Sequence, residues 1–257
     1  MRVMASGLRR AGRAGGRPDA SHADGCPTRT MSMREDTDMD RPVPIDLATW
    51  PRAELFAHYW RTVPCTYALT VDIDVTALVA ALTTTGRKTY PAQIWAIATV
   101  VNRHPEFRMT VTDAGNPAIW PVSHPAFTVF NTERETFACV WTPYDPDFAR
   151  FHDAVVALLA THRSATTMFP QGEAPANAFD VSSVPWTSFT GFTLQIDGGS
   201  QHLAPIFTIG QYVERDGRTW MPLAVQIHHA AADGFHTARL VEELCVLFRD
   251  VAWVGEG

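Results

Sequence analysis

The last third of the chain constrains the fold most. Residues 204–229, APIFTIGQYVERDGRTWMPLAVQIHH, read as strands on either side of a turn at Asp216–Gly217. Asp-Gly is a pair that tolerates the positive φ of a tight hairpin. MPLAVQIHH alternates, so its successive side chains leave opposite faces of a sheet, and His228 and His229 must point apart. The chain continues as AAADGFHTARLVEELCVLFRD: a small-residue link, an aspartate able to cap a helix, a glycine at the junction, and a final helix. Adjacent histidines on a strand do not easily share one metal, whereas two histidines four apart on a helix do. A neutral imidazole near pH 7 suits a catalytic base, and a packed imidazole suits a core. These residues alone leave metal, base and core open.

Upstream, the pattern alternates between helices and strands. Thr49 is a candidate cap, with Pro51 in the first turn of a helix running through RAELFAHYWRTV. In CTYALTVDIDV, Tyr67, Leu69, Val71 and Ile73 share one face of a half-buried strand. TALVAALTTTG predicts a helix closed by Gly86, and PAQIWAIATVVNRH a more apolar, buried one. FRMTVTDAGNPAIWPV predicts a hairpin turning at Asp113–Asn116, and AFTVFNTERETFACVWTPY two further strands. DPDFARFHDAVVALLATHR is an amphipathic helix with acids at its start and Arg163 near its end. SSVPWTSFTGFTLQI is expected to add more strand. Most neighbouring strands are joined by short turns. The expected fold class is therefore α+β, a two-layer sandwich of a mostly antiparallel (mixed) sheet packed with helices.

The expected boundaries are an N-terminal extension over 1–42, one domain over 43–252 and a tail over 253–257. The first stretch, MRVMASGLRRAGRAGGRP, is arginine-rich without an acid, and residues 23–42 are nearly free of bulky apolar side chains. Such a segment cannot bury enough to order itself, and Met31, Met33 and Met39 also allow a later start. A net charge of −6 argues against a nucleic-acid footprint. No apolar run reaches the ~18–20 residues of a membrane span. Cys26, Cys65, Cys139 and Cys245 are scattered without a C-x-x-C spacing, which fits a reducing cytoplasm better than a disulfide framework. No G-x-G-x-x-G or P-loop fingerprint appears.

Q-I-H-H-A-x-x-D-G-F-H resembles the active-site signature of the classical trimeric chloramphenicol acetyltransferases, members of the CoA-dependent acyltransferase superfamily. RAELF with CTYALT, TVFNTERETF, MFPQG, VSSVPWTSF and APIFTIGQY extend the resemblance in order and spacing from about Asp46 to Phe248. It implies acetyl transfer from acetyl-CoA, as co-substrate, to the 3-hydroxyl of the antibiotic, without metal or covalent acyl-enzyme. His229 would be the general base, Ser182 the donor to the oxyanion, and Thr208 the holder of a water at the reaction centre. Asp233 would pair with Arg52 and steady the loop that orients His229, and His228 would be a packed partner; His236 receives no role.

The resemblance also implies an apolar acceptor pocket of Tyr59, Cys65, Tyr67, Phe137, Phe169, Phe192 and Leu194. On the coenzyme side it implies Lys88, Tyr90, Trp186 and Tyr212, with Lys88 facing a CoA phosphate. Gln211 stands where relatives carry a lysine, and Gly191 where they carry a serine or similar residue. A homotrimer with active sites between subunits is expected. The competing expectations are acyl transfer to a different small alcohol or thiol, and a non-catalytic protein that sequesters the drug.

Overall fold

The computed structural model describes residues 41–195 and 201–255; apart from Arg41 and Pro42, the extension expected over 1–42 lies outside them. The hairpin read from 204–229 is present. β8 (Ile206–Gly210), β9 (Val213–Arg215) and β10 (Arg218–His228) follow one another, and Asp216 and Gly217 carry φ of 55° and 71° in the β9–β10 turn. Positive φ at both central residues matches the right-handed twist of the flanking strands.

β10 is a central strand. Among the described residues the large sheet runs β2-β10-β8-β7-β5-β6, with β9 also on β10. Its other members are β2 (Thr66–Asp74), β5 (His124–Asn131), β6 (Thr136–Trp141) and β7 (Ala178–Val184). The β2–β10, β8–β10, β9–β10 and β5–β6 pairs are antiparallel, while β5–β7 and β7–β8 are parallel. A small antiparallel sheet joins β1 (Val43–Pro44), β4 (Pro117–Ile119) and β3 (Met109–Val111), the last two linked by the expected turn with Gly115 at φ 75°.

One face of the large sheet is covered by helices. Ile73, Leu223, Phe207, Val181, Phe127 and Val140 point into a core shared with α2 (Thr76–Thr85), α3 (Thr89–Arg103), α4 (Phe148–His162) and α5 (Gly234–Arg249). Every residue of α3 from Pro91 to Val101 is buried, as expected of a helix apolar on all sides. Gly86 closes α2 at φ 68°, and Asp147 caps α4 by accepting from the Arg150 amide.

Three expectations are corrected. Thr49 caps no helix: its hydroxyl bonds Asp46, and α1 (Ala53–Ala57) starts after Arg52 without a side-chain cap, then widens into a π-helical turn over His58–Thr62. Residues 185–195 are not strand. β7 and β8 are parallel neighbours, so the chain between them must cross over instead of turning tightly. The Pro-, Ser-, Thr- and Gly-rich stretch after Val184 begins that crossing on the face that no helix covers. Finally, the chain does not trail off at 253. α6 (Ala252–Gly255) buries Val254 and sets Trp253 against Trp95 and Phe148, with ring centroids 4.6 and 4.7 Å apart.

Candidate active site

His228 and His229 separate as strand alternation requires. His228 is 1% exposed, accepts at Nδ1 from the Ala230 amide, and meets Trp60 edge-on at 5.6 Å. His229 lies just past the end of β10, where its amide donates to the Cys65 carbonyl at 2.9 Å. Its ring stacks flat on Tyr59, centroids 3.9 Å apart at 10°, and meets Tyr67 at 5.3 Å and 65°. Nδ1 of His229 is buried without a hydrogen-bond partner among the described residues, which leaves Nε2 as the nitrogen open to a substrate. Tyr67 is fixed in turn: its hydroxyl lies 2.6 Å from Thr237 Oγ1. Burial pushes the Tyr67 phenol up, against the lowering effect of that bond, so it stays neutral.

The loop after His229 is tight. Ala230, Ala231 and Ala232 are each at most 1% exposed, and the Ala231 and Ala232 amides both donate to the His228 carbonyl. Asp233 then caps α5 by accepting from the Phe235 amide. Its other oxygen receives Arg52 Nη1 at 2.5 Å. His236, unassigned from sequence, completes a capping box by accepting at Nδ1 from the Asp233 amide at 3.3 Å; the same nitrogen lies 2.8 Å from Asp233 Oδ1, and Nε2 lies 3.4 Å from Glu106, which also pairs with Arg239. Burial raises the Asp233 carboxyl, but Arg52 and His236 outweigh it and hold the group below the ordinary carboxylate range. The helix dipole of α5 acts in the same direction. The segment from Arg52 through α1 into the π-helical turn therefore serves both ends of the loop, Arg52 gripping Asp233 and Tyr59 backing His229.

Ser182 and Thr208 sit elsewhere. They are register partners on parallel β7 and β8, their hydroxyls 3.0 Å apart, and Thr208 is 2% exposed. Thr208 pairs with Ala224 of β10, and Ala224 with Thr70 of β2. Cross-strand partners share a face, so this row lies on the helix-free side of the sheet. Cys139 belongs to that face too, and burial pushes its thiol up to about 12, consistent with an unreactive wall. His229 follows Ala224 by five residues, roughly 16 Å along an extended strand. Within one chain, then, His229 and the Ser182–Thr208 pair do not meet.

The remaining expected pocket residues divide between these two places. Tyr59, Tyr67 and Cys65 surround His229. Phe137 lies on β6, and Phe169 follows Met168, whose carbonyl accepts from Cys139 at 2.7 Å. Phe192 and Leu194 ride on the crossing segment, their amides donating to Thr70 Oγ1 and Gln226 Oε1.

Of the expected coenzyme residues, Lys88 and Tyr90 line one cavity of about 460 Å³ together with Thr89, Pro91, Val156, Leu159 and Ala160. Burial raises the Tyr90 phenol to about 12, against lowering bonds to Thr128. Tyr212 accepts from Gln93 at 2.7 Å, one turn along α3 from Tyr90. Trp186 stands apart, 61% exposed and 4.6 Å from Phe130. Among the described residues, no group of three or more His, Cys, Asp or Glu side chains is arranged to hold a metal ion.

This architecture is shared with known acyltransferases. A solved chloramphenicol acetyltransferase superposes with a TM-score of 0.71 at 20% identity, covering 81% of this chain and 100% of that one. A dihydrolipoamide acetyltransferase of Azotobacter vinelandii superposes at 0.59 and 20% identity, covering 79% and 88%. The fold is that of an acyltransferase. Sequence narrows the class further. A chloramphenicol acetyltransferase of Streptomyces acrimycini is 66% identical over 219 residues, spanning 85% of this chain and 100% of that protein. One of Vibrio anguillarum is 44% identical over 201 residues, spanning 78% and 91%. The family model described as chloramphenicol acetyltransferase matches residues 42–245, and the chain belongs to that family.

Proposed function

We propose that the protein transfers the acetyl group of acetyl-CoA to the 3-hydroxyl of chloramphenicol by direct attack, with His229 as general base. The setting of His229 carries this reading: a ring clamped between two tyrosines, one nitrogen buried and Nε2 open. Nε2 takes the hydroxyl proton as that oxygen attacks the thioester carbonyl. The C–S bond then breaks, and the departing thiolate recovers the proton from the imidazolium. A base within hydrogen-bond reach contributes about 10²–10⁴ in rate.

Ser182 donates its hydroxyl proton to the oxyanion of the tetrahedral intermediate. The Ser182 hydroxyl lies 3.0 Å from Thr208 Oγ1 and donates to the Phe207 carbonyl over a long 3.4 Å, a weak bond that it gives up when it turns to the oxyanion. Thr208 also holds a water at the reaction centre. Phe137, Phe169, Phe192 and Leu194 wall the acceptor, while Lys88, Tyr90, Trp186 and Tyr212 serve the coenzyme. Gln211, uncharged where the resemblance implies a lysine, would offer CoA no charge contact at that position.

The site is shared between subunits of a homotrimer, His229 of one facing the Ser182–Thr208 row of the next. The distance between these groups within one chain supports this, because no single subunit brings base and oxyanion donor together. The free Cys65, Cys139 and Cys245 suit a reducing cytoplasm, and no helix among the described residues is long and apolar enough to cross a membrane.

Mixing purified protein, acetyl-CoA and chloramphenicol while following free thiol tests the reaction. Drug binding without thiol release would leave a sequestering protein; release only with other alcohols or thiols would leave a different acyltransferase, which the dihydrolipoamide acetyltransferase fold makes the nearest rival. A second experiment tests the shared site. His229→Ala and Ser182→Ala chains, each inactive alone, are unfolded together and refolded. Random assembly should return activity at about a quarter of the sites, and none if each chain holds its own site.

A further inference from the structure

The crossing segment after β7 carries Trp186, Phe192 and Leu194, yet its described residues 185–195 form neither helix nor strand. What holds it is a set of pins to the helix-free face. At one end the Gln211 amide donates to the Thr187 carbonyl at 2.9 Å. Next, Phe189 occupies the space a side chain would take at Gly210: a Cβ there would lie 2.8 Å from Phe189 Cε1 and 3.2 Å from Pro222 Cβ. Phe189 in turn packs on Phe192 at 5.4 Å. The Phe192 amide reaches Thr70 Oγ1 at 3.3 Å, and the Leu194 amide reaches Gln226 Oε1 at 2.9 Å.

Gln226 differs from the other pins. It is 7% exposed, lies on central strand β10, and precedes His229 by three residues in the signature stretch. Its Cα partners are Ala68 on β2 and Ile206 on β8, so the ladder fixes its backbone from both sides. A side chain anchored this firmly, and bonded to an otherwise irregular strand of chain, is suited to setting where that chain lies.

We propose that Gln226 is a positioning residue for the acceptor side of the site: by accepting from the Leu194 amide, it holds Phe192 and Leu194 over the sheet. The inference rests on the reading of Phe192 and Leu194 as acceptor walls. It accounts for a polar side chain buried in the middle of a strand, where an unpaired amide would be costly. It also ties the acceptor wall to the strand that delivers the base. Loss of the pin should weaken acceptor capture without touching the coenzyme.

Two substitutions separate positioning from mere stability. Gln226→Met keeps length and burial but cannot accept well, while Gln226→Glu keeps an accepting oxygen. In the full-length protein, Gln226→Met should raise KM for chloramphenicol roughly tenfold, the value of one lost hydrogen bond, and leave KM for acetyl-CoA within about twofold. Peptides covering 187–195 should exchange amide hydrogen faster, and Gln226→Glu should restore both readouts in large part. Equal rises in both KM values, no change in either, or failure of Gln226→Glu to restore protection of 187–195 would overturn the proposal. Hydrogen exchange needs no substrate. If the wild-type protein acetylates no chloramphenicol, the acetyl-transfer reading fails, and the exchange result alone then decides whether Gln226 holds the segment.

Discussion

His229 and the paired hydroxyls are held in opposite ways. Ser182 and Thr208 sit within strands, and the β7–β8 register alone puts their hydroxyls 3.0 Å apart. His229 sits one residue beyond its strand, so side chains must do what the ladder no longer does. Tyr59 and Tyr67 confine the ring, buried alanines shape the loop, and Arg52, His236 and Glu106 fasten Asp233 behind it. A site inside a sheet inherits its precision from backbone pairing. A site at a strand end gains freedom of approach and needs a brace.

That contrast sets the expected order of effects. Removing the proposed base should cost most: His229→Ala should lower kcat by about 10²–10⁴. Ser182→Ala should lower kcat by about 10², the scale of one lost oxyanion donor, and should not alter KM for acetyl-CoA. A Ser182→Ala enzyme as active as wild type would remove the serine from the mechanism.

Breaking the brace should act through order. Arg52→Ala leaves the part-buried Asp233 carboxylate without its guanidinium and should lose about 2 kcal/mol, a fall of about 4–8 °C in melting temperature, together with activity. Unchanged melting and full activity in both Arg52→Ala and Asp233→Asn would refute the brace. The pH dependence has a definite sign. The Asp233 carboxyl is lowered in the folded state, so its stabilisation is complete above the unfolded value of about 3.9 and disappears as pH falls through the lower folded value. The stability gap between wild type and Asp233→Asn should therefore be widest near neutral pH and close progressively below about pH 4. The smallest effect belongs to Gly191→Ser. A Cβ there meets nothing within 4 Å, so denaturant melts should differ by less than about 0.5 kcal/mol. A larger loss would show that the crossing segment is more tightly packed than its pins indicate.

Most elements were legible in the chain because their signals are local. Asp216–Gly217, Gly86 and the Asp113–Asn116 turn each demand a particular backbone geometry, and each is found where read. The failures share a cause. The hydroxyl of Thr49 chose Asp46 over the helix, a competition between two nearby partners that spacing cannot rank. The stretch after Val184 looked like strand because Trp, Phe and Leu recur in it, yet the parallel pairing of β7 with β8 required a crossing there. Parallel pairing is a relation between distant segments and leaves no mark in either. His236 had no role for a related reason. Its partner Asp233 is three residues away and visible, but Glu106 comes from another part of the chain.

The sequence by itself determined which residue types were available and which way the strands face. Period-two alternation separates His228 from His229 whatever surrounds them, and the signature stretch names the family. Only the tertiary structure decided distances between segments: that Tyr59 lies flat on His229, that Arg52 closes on Asp233, and that Ser182 and Thr208 share a row which His229 of the same chain does not reach. Local sequence specifies backbone geometry through sterics and hydrogen bonding over a few residues. Which surfaces then meet depends on how the whole chain buries its apolar faces, and no single stretch contains that information.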